Sequence, residues 1–412
     1  MLTSFAGMKP ETPIQLLAIL LTLLCSDAHA ESATVRVSAG KHDRSNVPLS
    51  LPLPESLKNY RNFTGERLDN RSTVNVQLAT TPKPHLVWMI GQTLKAGQSR
   101  QYRLSGLTEV QDEAPALLML NMDGKLQAQI QGKTVFRYNH RTVPSPFPKE
   151  PFYARSGQIH PVFTPSGKMV TDDFAPDHKH QHGIMFAWTN TTFEGNKIDF
   201  WNQKKKQGTV EHTSIEGQGN GNVFCWFKAK LRHLEVLDPD KPKVVLNETW
   251  TVRVYHSQSP YLFEIESRQT CGTKNPLQIN KYHYGGMAFR GSRAWTGDGT
   301  YDYLTSEGKN RKDGNHSRPN WSSIFGQING QWCGATILGH PENFRSPQPV
   351  RLHPKMPYFV FAPLVIGPFK IEPGKEYVSR YRYLIHDGKL DAVMADAYWN
   401  DYASPAMVEL MK

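Results

Sequence analysis

Three histidines alternate with other residues in the segment Asp177-His178-Lys179-His180-Gln181-His182-Gly183, three of the chain's sixteen within five positions. In an extended backbone side chains alternate with period two, so His178, His180 and His182 point to one face. Imidazole titrates near neutral pH, and such a row can offer one ring as acid and another as base. It can instead hold a divalent metal through His178 and His180 with a carboxylate, which makes a metal the candidate cofactor. The third use is structural, with the rings capping strand ends through hydrogen bonds. Spacing leaves all three uses open.

Further polar groups interrupt segments that otherwise read as buried strands. Glu248 lies in LNETWTVRV, where a carboxylate is costly unless paired or functional. His283 and Arg290 flank a glycine pair in KYHYGGMAFR, and His340, Asn343 and Arg345 cluster in HPENFR. Trp201 and His212 close DFW and GTVEH. The expected acid/base set is His178, His180, His283 and Glu248. Asp177, Arg290, His340, Asn343, Arg345, Trp201 and His212 are expected to bind substrate hydroxyls or carboxylates. Aromatics accompany these groups, Tyr282, Tyr284 and Trp188 among them. An aromatic face suits the C–H face of a sugar ring, although aromatics in β proteins are also core residues.

The elements that must position these groups are strands. The 412 residues contain 31 glycines and 29 prolines, so turns are frequent, and apolar alternation recurs in NVFCWFKAKLRHLEVL, PKVVLNETWTVRVYH and PYLFEIESRQT. Four prolines within residues 142–151 mark an extended loop, and only Leu390 to Tyr402 has helical character. The composition fits neither a coiled coil nor a multi-span membrane protein. The expected architecture is all-β: a large antiparallel β-sandwich over 121–395, preceded by a small β-sandwich over 31–120 and followed by a tail over 396–412.

Residues 1–30 read as a signal peptide. The apolar run LLAILLTLLC at 16–25 follows Lys9 and precedes Ala28-His29-Ala30, a small-x-small cleavage pattern. The run is too short for a mature span, which needs about 20 residues. Cleavage near Ala30 places the protein in the periplasm or outside the cell. Loss of Lys9, Glu11 and Asp27 leaves 47 basic and 35 acidic residues, a net charge of +12. The only basic run is Lys204-Lys205-Lys206, without the stripe or module of a nucleic-acid binder. Attraction to acidic glycans or an anionic envelope is the better use of that charge. Cys225, Cys271 and Cys333 remain, an odd number without metal spacing. At least one is unpaired, and one disulfide is possible.

The stretch HPVFTPSGKMVTDDFAPDHKHQHGIMFAW at 160–188 resembles a bacterial family labelled methane oxygenase PmoA, also treated as a domain of unknown function. So do DFWN at 199–202, YHYGGMAFRG at 282–291, RPNW at 318–321 and RYRYLIHDG at 380–388. The D-H-x-H-x-x-G core is its specific part, and His182 stands where other members commonly carry Arg or Lys. The resemblance implies an exported supersandwich similar to galactose mutarotase-like proteins, whose histidines and carboxylate move protons at a sugar's anomeric centre. Three functions follow as expectations: a carbohydrate-active hydrolase, lyase or epimerase acting on a glycan or small sugar; a glycan-binding sandwich without turnover; and a metal-dependent oxygenase, as the family label suggests.

Overall fold

The computed structural model describes residues 31–81, 83–108, 114–297 and 299–411. The expected signal peptide, with its expected cleavage near Ala30, lies outside the described residues.

Period-two alternation builds the strands. In Lys243–Tyr255, Glu248, Trp250, Val252 and Val254 are buried, while Asn247, Thr249, Thr251 and Arg253 sit on the other face. Two eight-stranded antiparallel sheets result. One runs in space from Val350–Leu352 through Tyr358–Phe361, Gly286–Arg290, Ile184–Ala187, Gln158–Val162, Lys133–Asn139 and Lys125–Ile130 to Leu117–Met122. The other runs from Gly208–Gly219 through Phe224–Glu235, Lys243–Tyr255, Tyr261–Cys271, Tyr377–Asp387, Gln331–Gly339 and Trp321–Ile328 to Tyr301–Thr305. A continuous core that includes Phe136, Trp188, Phe227, Trp250, Phe263 and Tyr383 fills the space between them. Phe263 and Tyr383 stack with ring centroids 4.8 Å apart. Burying each such side chain stabilises the fold by about 1.5–3 kcal/mol. The expected large all-β sandwich is present.

The strands between Ser32 and Leu107 form a third sheet, completed by Met407–Leu410, which pairs with Ser32–Ser38. Its edge strands Pro48–Pro52 and Met407–Leu410 lie against each other, so this sheet curls around its own core of Val35, Leu49, Trp88 and Tyr102. It packs with Phe224, Leu262 and Leu384 of the large sandwich and with the helix Ala392–Ala403. The buried pair Arg44–Asp401, at 2.8 Å, ties sheet to helix. The region expected as a small sandwich is thus a single curled sheet, and part of the expected tail is its seventh strand. Leu117–Met122 already belongs to the large sandwich, and its first residue lies four positions before the expected start at 121.

No helix among the described residues is long and apolar enough to cross a membrane. Cys225, Cys271 and Cys333 are free, so the possible disulfide is not formed. Burial pushes the Cys225 thiol up to about 12, as expected of a small buried hydrophobe.

Candidate active site

The histidine row lies on a hairpin. Asp173–Ala175 pairs with His178–His182, and Pro176-Asp177 makes the two-residue turn between them. Gly183 ends the hairpin with φ +39°, and a Cβ there would meet the carbonyl oxygen of Ile159 at 2.2 Å. Its N–H donates to Asp172 O at 2.8 Å, and its carbonyl accepts from Arg290 N at 2.7 Å. Only a residue without a side chain lets the hairpin approach the sheet this closely.

Arg290, 1% exposed at the end of Gly286–Arg290, reaches back to the hairpin. It donates to Asp177 Oδ1 at 2.8 Å and to Gln181 Oε1 at 2.7 Å. Asp177 Oδ2 lies 3.6 Å from His178 Nδ1, an enclosed nitrogen with no hydrogen-bond partner. Burial alone would raise the Asp177 pKa, but His178 and Arg290 outweigh it and hold the carboxyl well below the usual range. Asp177 is therefore an ionised group beside an imidazole.

Two cavities meet at these residues. The inner one, of about 260 Å³, is lined by His178, His180, His283 and His353, with Asn202, Tyr284 and Tyr358. The outer one, of about 620 Å³, shares His178, His180 and Asn202 and opens past Asp177, Lys204 and Lys205. His178 and His180 have ring centroids 5.6 Å apart. Burial first, then the neighbouring rings of His178 and His182, push His180 down to about 3. Burial and the Arg351 charge push His353 down to about 4. Both rings are neutral near pH 7, so each offers one N–H donor and one lone-pair acceptor. His182, at the inner end of the row, is committed elsewhere: its Nδ1 is 2.5 Å from Asp173 and its Nε2 3.1 Å from Gln203.

The DFWN segment supplies part of the wall. The Asp199 carboxylate accepts from the backbone N–H groups of Trp201 and Asn202 at 3.0 and 2.9 Å and from Asn202 Nδ2 at 2.8 Å. The turn so fixed lets Asn202 Nδ2 donate to Tyr284 OH at 2.9 Å. Trp201 is buried beneath, 5.4 Å from the Tyr284 ring and 5.7 Å from Tyr358. Tyr282, His283 and Tyr284 form a continuous aromatic edge, with ring centroids 4.2–5.1 Å apart.

The structure thus brings together Asp177, His178, His180, His283 and Arg290, with Trp201 behind them. The other expected site residues lie elsewhere. Glu248 lines neither cavity; it faces the sandwich core, where His233 Nε2, Trp250 Nε1, Ser267 Oγ and Gln269 Nε2 surround it at 2.7, 2.7, 2.5 and 3.1 Å. Burial would raise its pKa, and these bonds outweigh burial, so the carboxyl is held low. His212 Nδ1 pairs with Tyr138 OH at 2.9 Å. His340 packs on Tyr402 in a cleft beside the N-terminal sheet. Asn343 exchanges two hydrogen bonds with the Arg380 backbone, and Arg345 donates to the carbonyls of Pro363, Gly367 and Pro368. The last two fasten loops. For the metal expectation, His178 and His180 supply two imidazoles, and among the described residues no group of three His, Cys, Asp or Glu side chains is arranged to hold a metal ion.

The model of a family of unknown function, DUF6807, matches residues 125–400, well over half of the chain. The chain belongs to that family. That meets the expectation of a family of unknown function, and the comparisons give no evidence for the methane-oxygenase label. No curated protein matches the chain. Among solved structures, a galactose mutarotase related enzyme from Lactobacillus acidophilus is similar over 66% of this chain and 100% of its own, at 9% identity and a TM-score of 0.31. In this DUF6807 protein the cavity also contains Arg351, His353 and Tyr358, which the sequence reading passed over. The R-x-H spacing of Arg351 and His353 was a visible signal, since residues two apart on a strand share a face.

Proposed function

We propose that this DUF6807 protein is an exported carbohydrate-active enzyme whose proton carrier is His178. The observation that carries the reading is the Arg290–Asp177–His178 array at the junction of the two cavities. Arg290 fixes Asp177, and Asp177 stabilises whatever positive charge His178 acquires in proton transfer. Enclosure of His178 Nδ1 leaves the other ring nitrogen for the cavity's occupant. The aromatic edge of Tyr282, His283 and Tyr284 suits the C–H face of a sugar ring. Gln181, Asn202 and the neutral imidazoles of His180 and His353 suit its hydroxyls. Glu248, the carboxylate of the expected acid/base set, gives way to Asp177, which serves as the ionised partner of His178 and not as a proton donor.

Hydrolysis, β-elimination and epimerisation all require such a proton carrier beside a bound sugar. The test is incubation of the folded protein with a panel of neutral and acidic mono- and oligosaccharides, followed by NMR. New product resonances support an enzyme. Saturable binding with no product over long incubation favours the alternative, a non-catalytic glycan-binding sandwich.

A further inference from the structure

The inner cavity holds four imidazoles and one guanidinium, and none of its lining residues is an Asp or Glu. The guanidinium belongs to Arg351, in the middle of Val350–Leu352. Three other arginines of the fold have protein partners: Arg290 is held by Asp177 and Gln181, Arg345 by three carbonyls, and Arg382 by Glu264. Among the described residues no such partner faces the Arg351 side chain. Its charge is felt by the flanking rings, since after burial it is the next cause holding down the pKa of both His283 and His353. The outer cavity continues the same sign. Lys204 and Lys205, two residues of the chain's single lysine run, stand at its mouth, Lys205 paired with Asp199 and Lys204 with no acidic partner among the described residues, and the acids lining it are engaged, Glu150 by Lys179 and Asp177 by Arg290.

A cationic fork without a protein counter-ion, reached through a passage that carries Lys204 at its mouth, fits a planar oxyanion that arrives with the ligand. Resting on the sugar reading above, we propose that the cavity's ligand is an acidic sugar, its carboxylate held by Arg351 between His283 and His353. Lys204 then steers the anion inward, and the sugar ring lies along the tyrosine edge towards His178.

Calorimetric titration tests this with D-glucuronate, D-galacturonate, D-glucose, D-galactose, glucose 6-phosphate and inorganic phosphate, on the wild type and Arg351→Gln. A thermal melt checks that the variant folds. The expected result is that a uronate binds at least tenfold more tightly than its neutral hexose, and that Arg351→Gln removes this preference. Equal binding of uronate and hexose, or an unchanged preference in the variant, overturns the carboxylate assignment and leaves the sugar reading standing. Glucose 6-phosphate binding better than either uronate, or inorganic phosphate matching the uronates, also overturns it, by pointing to a different oxyanion. Absence of binding by every sugar overturns both readings.

Discussion

Glu248 and Asp177 show what separates a structural carboxylate from a chemical one. Both are ionised, yet Glu248 spends its lone pairs on four buried donors, while Asp177 faces an imidazole at a cavity. Glu248→Gln replaces an acceptor-only group with one that also brings N–H donors, leaving some of its four partners unmatched. A loss of about 1–3 kcal/mol in urea unfolding is expected, with product formation retained in the folded fraction. Loss of turnover without loss of stability would return Glu248 to the chemical set. The sequence showed that Glu248 was anomalous in an apolar strand and could not show why. Its partners His233, Ser267 and Gln269 come from the two neighbouring strands in register, a relation that no local window contains. Asp177, His178 and His180 were legible because they are contiguous. His340, Asn343 and Arg345 looked equally polar, but they fasten loops or line another cleft.

At the scale of elements, the hairpin Asp173–His182 is held against the sheet by backbone contacts at Gly183. A methyl group at that position collides with the Ile159 carbonyl, and either the hairpin or the strand Gln158–Val162 must shift. Gly183→Ala is expected to cost about 1–3 kcal/mol and to lower turnover as well, because the displaced hairpin carries His178 and His180. Thermal denaturation and steady-state rates read the two effects, and unchanged values of both would contradict this account of the glycine. The large strands and their alternation were plain in the sequence. The pairing of Met407–Leu410 with a strand some 370 residues earlier was not, since a short segment gives no sign of a distant partner.

At the scale of the whole molecule, several imidazoles are kept neutral by burial. His180 is pushed down to about 3, and His386 to about 4 while it shares hydrogen bonds with Thr336 and the Gly388 carbonyl. His212 and His353 are each lowered to about 4. A histidine whose folded pKa lies below its unfolded value leaves the unfolded chain binding more protons between the two. The stability contributed by the neutral rings is therefore complete above about pH 6.5 and lost as pH falls towards 4. Each fully buried ring accounts for a slope of about 1.4 kcal/mol per pH unit in that window. Unfolding midpoints should fall steadily from pH 7 to 4, less steeply in His386→Gln. A flat profile would contradict the placement of these rings.

The claim on which the functional account turns is that His178 moves the proton. With a sugar that the wild type converts, turnover and binding are compared with those of His178→Ala, both proteins shown to be folded by circular dichroism. The account predicts a fall in turnover of at least about 100-fold with affinity changed only a few-fold. Turnover in the variant equal to that of the wild type would contradict it.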